Sequence, residues 1–461
     1  PIQGGAMHPF VRRKLGQEPV TYLHPALEEP LERTLGIPIF QEQLMQIAVA
    51  VGGCTPEDAD LLRRAMGSKR GIERIESLRA KLYLGMEANG ISPDVADEIY
   101  GKIKAFANFG FAESHSQSFA LLVYASSWMR LHYPGAFLAA LLRSQPMGFY
   151  SPQTLIADAR RHGVEVLRPD IQLSGVAAGL EKLPGSPKGP DTPKGQSDEC
   201  LERLQPPVPP FDRSIPMDFA RHRRDTAFAV RLGLDEVSGI SETVAKKIVA
   251  ERDRADRFLS MNDLVRRVGL STAQLEMLSA AGAFDTFGLG RREAIWNSGN
   301  AAADRAEFLA GTVVAVQPPL FTIPSEVDEL VNDLWSTGVS VDNHPVHHLR
   351  EQLNARGVLS AASLGTAEPG RRVEVGGIVT HRQRPATASG ITFVNLEDET
   401  GLVNVICGVG VWNRYRRITR DAQAMIVRGI LERSPEGVTN LLADKFETLQ
   451  MTPRTKSRDF R

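Results

Sequence analysis

Apolar residues recur at helical spacing along residues 25–142, which predicts a mostly helical region. Within this region, Thr55 and Pro56 precede two acids in an order typical of a helix start. The hydroxyl can cap the first turn, the proline needs no amide donor, and carboxylates lie beside the positive end of the helix. The pattern therefore predicts a helix that begins at Pro56.

Residues 176–216 interrupt this pattern because they are crowded with Pro, Gly, Ser and Lys. Such a composition buries too little apolar surface to order itself, so it predicts a linker or a mobile loop. Helical spacing returns over residues 234–297 and again over 326–356, with a second irregular stretch around Gln317 between them.

The last part of the chain changes to the alternation that is typical of strands. Five short strands, separated by turn sequences, are predicted at 372–380, 391–396, 402–407, 424–431 and 439–443. A helix after the third strand gives the order of an OB fold, a small β-barrel. The predicted fold class is therefore multidomain α+β, with the helical regions before the barrel.

Composition sets limits on the class of protein. The 461 residues exceed one ordinary core, and the formal net charge of -1 does not mark the whole chain as a nucleic-acid binder. Three distant cysteines, Cys54, Cys200 and Cys407, together with the lack of an export signal or a membrane span, predict a cytoplasmic protein. The first residue is Pro1 rather than Met, which suggests a fragment or a misplaced start.

A tight glycine turn near residues 237–248 is the first candidate for DNA contact. It joins two predicted helices, so its backbone amides can point at a phosphate, as in a helix-hairpin-helix motif. A degenerate second copy is expected at 270–284, with Gly282 as its glycine. The alternative is two helical hairpins that only pack together. The residues assigned to DNA contact are Gly239, Ile240, Ser241, Lys246 and Lys247.

The predicted barrel carries arginines on the loop after its first strand and on its helix. Basic loops beside a barrel face suit single-stranded nucleic acid, although OB barrels also bind sugars and proteins, and arginine clusters are often only solvated. The residues assigned to this contact are Arg382, Arg384, Arg414, Arg416 and Arg417.

Two further patterns each have a functional and a structural interpretation. Gln317, Leu320 and Phe321 have the form of an exposed anchor for a partner's pocket, or of a linker that packs on its own domain. A basic segment and a distant histidine could hold a triphosphate, or could face water and pack. These residues are Arg63, Arg64, Lys69, Arg70 and His115.

Paired carboxylates suited to two magnesium ions are not found in the sequence. Asp58 and Asp60 lie in the first turn of a predicted helix, and the acids at 397–399 precede a hairpin turn, where acids are ordinary. The sequence therefore predicts no catalytic residue and no metal site in this chain.

Four sets of segments, in this order, resemble the fingers of bacterial family C DNA polymerases: 40–43 with 45–46, 60–67, 110–111 with 114–116, and 132–134 with 137–140. The barrel segment 379–388, with Phe393 and 396–401, resembles the error-prone form of the polymerase III alpha subunit more than the replicative form. The resemblance covers nearly the whole chain except the proline-rich insert.

The resemblance implies a domain order. Residues 1–175 correspond to the fingers, 176–216 to an insert, 217–297 to tandem helix-hairpin-helix motifs, 298–357 to a clamp-binding segment with connecting helices, and 358–461 to the OB-fold domain and tail. The family's palm has no counterpart here. The aspartates that bind two magnesium ions in the parent belong to the palm, so they are missing too. The chain alone is therefore expected to be inactive and to bind no metal.

The resemblance also implies site residues and partners. Glu113 departs from the basic residue that replicative relatives carry beside the Ser-His pair. The positions implied for the incoming triphosphate are Arg63, Arg64 and His115, with Lys69 and Arg70 as further candidates. The implied partners are primer-template DNA, single-stranded template, deoxynucleoside triphosphates, a sliding clamp at Gln317, Leu320 and Phe321, and an inactive Y-family-like accessory protein, but no membrane.

The activity implied for the parent is DNA-directed DNA polymerase, of the error-prone type that works in damage-tolerant synthesis past lesions. The competing interpretation is a stand-alone, non-catalytic DNA-binding adaptor.

Overall fold

The computed structural model describes residues 7–66, 71–105, 111–148, 150–185, 222–304, 323–385, 388, 390–434, 438–451 and 458–460. Two units are distinguished by their internal contacts, Pro1–Ser127 and Trp128–Arg461. The contacts thus divide the chain after Ser127, within the region 1–175 that is expected to form the fingers. Among the described helices, none combines the length and the apolar character that crossing a membrane requires.

The first unit is helical, as the apolar spacing predicts. Its helices are α1 (Met7–Lys14), α2 (Glu28–Leu31), α3 (Gln41–Ala50), α4 (Pro56–Ala65), α5 (Gly71–Ser77), α6 (Arg79–Ala88), α7 (Pro93–Ala105) and the first part of α8 (Glu113–His132). Helix α4 begins at the predicted position. The Thr55 hydroxyl accepts a hydrogen bond from the Asp58 amide at 3.3 Å, and the Asp58 carboxylate accepts one from the Thr55 amide at 2.8 Å.

The second unit begins with α9 (Pro134–Arg143), α10 (Pro152–Arg161) and a sheet of β1 (Val166–Leu167), β2 (Gly179–Lys182) and β3 (Phe228–Arg231). Strand β3 lies in the middle, parallel to β1 and antiparallel to β2. The prediction of a linker over 176–216 is therefore wrong at its start, because β3 supplies the backbone hydrogen bonds that order β2. Residues from 186 onward in that stretch lie outside the described residues.

Helices follow along the chain: α11 (Glu242–Ala255), α12 (Met261–Val268), α13 (Thr272–Ala280), α14 (Arg291–Ala303), α15 (Glu326–Ser336), α16 (Arg350–Ala355) and α17 (Ala361–Leu364). The first four share one core, in which Leu264, Leu275, Leu278 and Phe284 are buried. The helix predicted over 326–356 is broken after Ser336. Val339 and Val341 leave the helical path there and are buried in the core beside α9 and α10.

The last part of the second unit is a closed barrel. It comprises β4 (Arg372–Gln383), β5 (Thr392–Asp398), β6 (Gly401–Cys407), α18 (Val409–Arg414), α19 (Arg416–Asp421), β7 (Ala424–Arg433) and β8 (Thr439–Thr448), with a short β9 (Arg458–Phe460) beside β4. The strand order β5-β6-β8-β7-β4 closes through a β4–β5 pairing. Five strands with helices after the third confirm the OB order and the multidomain α+β class.

The acids at the β5–β6 turn hold the barrel to the preceding helices. Asp398 accepts hydrogen bonds from the amides of Thr400 and Gly401, as its turn position predicts, and also pairs with Arg350 at 3.0 Å. Glu397 is buried and accepts a hydrogen bond from the Thr154 hydroxyl at 2.8 Å. Burial raises the pKa of the Glu397 carboxyl. Within the second unit, these contacts fix the barrel against α10 and α16.

Candidate nucleic-acid interface

The first hairpin turns at Gly239. Its φ of +79° lies in the left-handed region that favours glycine, and a Cβ placed there would have no heavy atom within 4 Å. Ser241 begins α11, because its hydroxyl accepts a hydrogen bond from the Val244 amide at 3.3 Å. The first turn of a helix leaves other amides without intrahelical partners. An open turn beside such amides is suited to an anion such as a backbone phosphate.

The second hairpin turns at Gly269, so the prediction of Gly282 is wrong. Gly269 has a φ of +78° and the same open space, and Ser271 begins α13 by accepting a hydrogen bond from the Gln274 amide at 3.3 Å. A Cβ on Gly282 would lie 3.2 Å from the Nε atom of Arg291. The Gly282 turn is therefore covered by its own chain.

The two hairpins repeat in the same register. The apolar residue after each glycine is buried, and so are two positions of the helix that follows. These residues are Ile240, Ala245 and Ile248 in the first hairpin, and Leu270, Leu275 and Leu278 in the second. Ile240 thus anchors the turn in the core. The backbone and the polar side chains of the turn can then contact a ligand.

The two lysines of the first hairpin differ in their surroundings. Lys246 is exposed and pairs with Glu242, one turn earlier, at 2.7 Å. Lys247 donates a hydrogen bond to the Val268 carbonyl at 2.6 Å, at the end of α12. Both lysines are exposed, but only Lys247 joins the two hairpins, through its hydrogen bond to Val268. Glu276 occupies the position of Lys246 in the second hairpin, which gives the first hairpin the more positive surface.

A titratable carboxyl lies directly before the first hairpin. Glu236 ends the short 3₁₀ turn Leu234–Glu236 and accepts a hydrogen bond from the Gly233 amide at 3.4 Å. Burial raises the pKa of Glu236 to about 7. The corresponding residue before the second hairpin is Arg266, which pairs with Asp304 at 2.9 Å.

Arg382 of the barrel is not placed to contact DNA. Its side chain is buried, and its guanidinium donates hydrogen bonds to the carbonyls of Thr419, at 2.7 Å, and Ala422. A bulge in the pairing of β4 with β5 between Val379 and His381 changes the alternation of the strand just before this residue. Arg382 therefore holds the end of α19 to the barrel.

The other predicted arginines of the barrel face solvent. They form no ion pair with any carboxylate in the part of the chain that the structure describes, and they are Arg384, Arg414, Arg416 and Arg417. Three of them follow one another closely along α18 and α19. Unpaired cations at a surface favour binding of a polyanion.

The predicted triphosphate residues are only partly described. Arg63 and Arg64 lie in the last turn of α4, and both pair with Asp60, at 2.8 and 2.9 Å. Lys69 and Arg70 lie outside the described residues. An anion that binds Arg63 or Arg64 must therefore compete with a carboxylate that is already present.

His115 and Glu113 lie in the first turns of α8. The imidazole of His115 packs against Phe119, with ring centroids 4.4 Å apart, and against the edge of Phe111 at 6.0 Å. Glu113 pairs with Arg33 through both carboxylate oxygens, at 2.6 and 3.0 Å. The acid at this unusual position is thus neutralised by an arginine of the same unit.

The predicted clamp-binding residues and the carboxylates that could hold a metal remain to be compared with the structure. Gln317, Leu320 and Phe321 lie outside the described residues. Among the residues that are described, no group of three or more His, Cys, Asp or Glu side chains could hold a metal ion. The donor set for a magnesium pair is therefore not found among them.

Three family models match separate parts of the chain. The finger domain of the bacterial DNA polymerase III alpha subunit matches residues 1–90, a helix-hairpin-helix motif matches 163–294, and an OB-fold nucleic acid binding domain matches 373–449. The error-prone DNA polymerase of Cutibacterium acnes is 56% identical over 464 residues, which cover 100% of this chain and 41% of that protein. The chain is DNA polymerase III alpha-like.

Further relatives bear the same name. The error-prone DNA polymerase of Nocardia farcinica is 47% identical over 100% of this chain and 37% of its own length. That of Mycobacterium tuberculosis is 46% identical over 100% of this chain and 38% of its own length. The polymerase III alpha-like chain thus spans about two fifths of the length of these curated relatives. The resemblance to family C polymerases, and to their error-prone form, is confirmed.

Solved structures add no functional argument. An asparaginyl-tRNA synthetase from Pyrococcus horikoshii matches 22% of the polymerase III alpha-like chain and 24% of its own, at 18% identity and a TM-score of 0.18. A likeness this low does not establish a shared fold for the whole chain.

Proposed function

We propose that this chain is the DNA-holding part of an error-prone DNA-directed DNA polymerase, and that its two hairpins bind the backbone of primer-template DNA. The observation that carries the proposal is the pair of open glycine turns, Gly239 and Gly269, in one register. They occur in a chain that matches error-prone DNA polymerases over its whole length. Phosphate contacts carry no base sequence information, which suits an enzyme that moves along its template.

Single-stranded template is the proposed ligand of the barrel. The exposed arginines Arg384, Arg414, Arg416 and Arg417 support it, and Arg382 is withdrawn from the proposal because its guanidinium is buried. Affinity of this kind falls steeply with salt concentration, because bound counterions are released from the strand.

The chemistry of polymerisation is proposed to belong to the part of the relatives that this chain does not span. There a palm would hold two magnesium ions, while Arg63, Arg64 and His115 here, with Lys69 and Arg70, would contact the incoming nucleotide. The chain alone should then incorporate no nucleotide in a magnesium-containing primer-extension assay, and incorporation above a no-protein control would overturn this part of the proposal.

A sliding clamp and an inactive Y-family-like protein are the proposed protein partners, in damage-tolerant synthesis past lesions. The clamp is proposed to bind Gln317, Leu320 and Phe321. Replacing both Leu320 and Phe321 by alanine should reduce clamp affinity at least about 30-fold, because it removes two apolar anchors. Unchanged clamp binding would identify this segment as a linker.

The test of the hairpin proposal is a matched pair of substitutions, Gly239→Asp and Gly239→Asn. Both residues tolerate the left-handed region, and both point a side chain of the same shape into open space. Only aspartate places a negative charge beside the phosphate. Fluorescence anisotropy with a labelled primer-template should show about tenfold weaker binding for Gly239→Asp than for Gly239→Asn. Equal affinities would show that no phosphate binds at this turn.

A further inference from the structure

The middle of α8 is exposed on every side although it is apolar. Leu121, Leu122, Val123 and Tyr124 are 70%, 59%, 61% and 75% exposed, and Phe119 is also exposed. Successive residues of a helix point about 100° apart, so four apolar residues in a row occupy almost its whole circumference. A surface helix keeps a polar face, and a helix that is apolar all round is normally buried. This segment is therefore built to be enclosed.

We propose that polypeptide from the region of error-prone DNA polymerases that this chain does not span encloses residues 117–127 of α8, here called the apolar helix segment. The inference rests on the proposed function, since it requires the chain to work as part of a longer polymerase. It adds an interaction surface with defined residues, Phe119, Leu121, Leu122, Val123 and Tyr124.

The apolar core of the first unit does not provide the cover. None of these five side chains belongs to that core. Side chains as exposed as Leu121 and Tyr124 retain most of their surface for a partner.

DNA does not have the chemistry to cover the apolar helix segment. Residues 114–127 include no Asp, Glu, Lys or Arg. A phosphate backbone is attracted by lysine and arginine, which are missing from this stretch, and it offers no apolar pocket for leucine side chains. The occupant must therefore be apolar and uncharged.

A second copy of this chain fits less well than a larger body. Two helices that pack against each other bury one seam of each helix and leave its other sides in water. Enclosure on all sides needs several elements of a folded domain. More than half of the Cutibacterium acnes polymerase lies outside the match, since the chain covers 41% of it, so enough polypeptide exists to form such a domain.

The experiment measures binding of this chain to the unmatched portion of the Cutibacterium acnes polymerase, produced separately and shown to be folded by circular dichroism. The variant is Leu121→Gln with Leu122→Gln, because glutamine keeps helix propensity and removes the apolar surface. The control is Leu84→Gln with Leu259→Gln, two leucines that are 68% and 88% exposed elsewhere. Biolayer interferometry should show at least about 30-fold weaker binding for the variant and an unchanged affinity for the control.

Three outcomes would overturn the proposal: equal binding by the variant and the unaltered chain, no binding of the unaltered chain to the folded portion, or a stable dimer in sedimentation that the variant converts to a monomer. The last result would identify a second copy as the occupant. Primer-template affinity, measured by anisotropy on the same variant, should stay unchanged. Loss of DNA binding at Gly239 and loss of partner binding at α8 are thus separate results.

Discussion

The two hairpins share a backbone but differ in the charges around it. Gly239 and Gly269 have nearly equal φ angles, and each is followed by a buried apolar residue and a serine that caps a helix. The exposed Lys246 of the first hairpin is replaced by Glu276 in the second. The two hairpins therefore share their pattern of buried residues and differ in the charge at the surface. We infer that the first hairpin contributes more to DNA affinity, whereas both contribute alike to stability.

The largest expected effect tests the shared core. Ile248→Ala and Leu278→Ala each remove a fully buried side chain at the same register position, so each should lower the free energy of unfolding by about 3 kcal/mol. Hydrogen exchange of the amides in α11 and α13 measures the loss locally. Leu259→Ala, at an exposed leucine, is the control and should change little. If the free energy of unfolding fell by less than about 1 kcal/mol at only one of the two sites, the hairpins would not contribute equally to stability.

The second prediction uses the residues before the hairpins. The pKa of Glu236 in the folded chain is about 7, above the ordinary value of 4.5, so the folded state holds this proton more tightly than the unfolded state. Its contribution to stability is therefore complete below pH 4.5 and is lost as the pH rises through 7. Glu236→Gln should remove this loss and stabilise the chain by up to about 3 kcal/mol at pH 8, and by little at pH 4.5.

Urea unfolding at the two pH values measures the effect of Glu236→Gln. Arg266→Gln is the matched change before the second hairpin, and it should destabilise the chain because it leaves the buried Asp304 without its arginine. A stabilisation by Glu236→Gln that does not depend on pH would show that the carboxyl does not titrate in this range.

Much of the fold follows from the sequence because periodic burial determines it. The alternation along β5 and β6 and the capping pattern at Thr55 each depend on a few adjacent residues, and both correspond to the structure. Strand β2 could not be predicted in this way. Its order comes from β3, which is distant in sequence, and its own residues lack a strong strand preference.

The candidate site was predictable where a backbone turn defines it and not where a side chain's direction does. Gly269 was detectable, since Gly-Leu-Ser repeats the pattern Gly-Ile-Ser with apolar residues at the same later positions. Arg382 was not detectable as a buried residue. The bulge beside it depends on the pairing of β4 with β5, which the sequence of one strand does not reveal.

The third prediction tests the difference in surface charge. Lys246→Glu should weaken primer-template binding about tenfold, and Glu276→Lys should strengthen it by a smaller factor, because each changes the charge beside a proposed phosphate contact. Anisotropy at two salt concentrations measures both, and both effects should shrink as salt rises. Arg254→Glu, at the far end of α11, provides a charge change away from the turn. If the changes at Lys246, Glu276 and Arg254 altered primer-template affinity by equal factors, the binding would depend only on the net charge of the chain.

The smallest expected effect concerns the two caps. Ser241→Ala and Ser271→Ala each remove the hydroxyl that accepts a helix amide at 3.3 Å, and each should cost about 1 kcal/mol of stability. The second cap is reciprocal, because the Gln274 side chain also accepts the Ser271 amide at 3.0 Å. Gln274→Ala should therefore destabilise the second hairpin, whereas Val244, at the same position of the first, offers no such hydrogen bond. If Gln274→Ala left the stability measured by urea unfolding unchanged, the reciprocal cap would contribute nothing, and the hairpins would be alike in their caps as well as in their core.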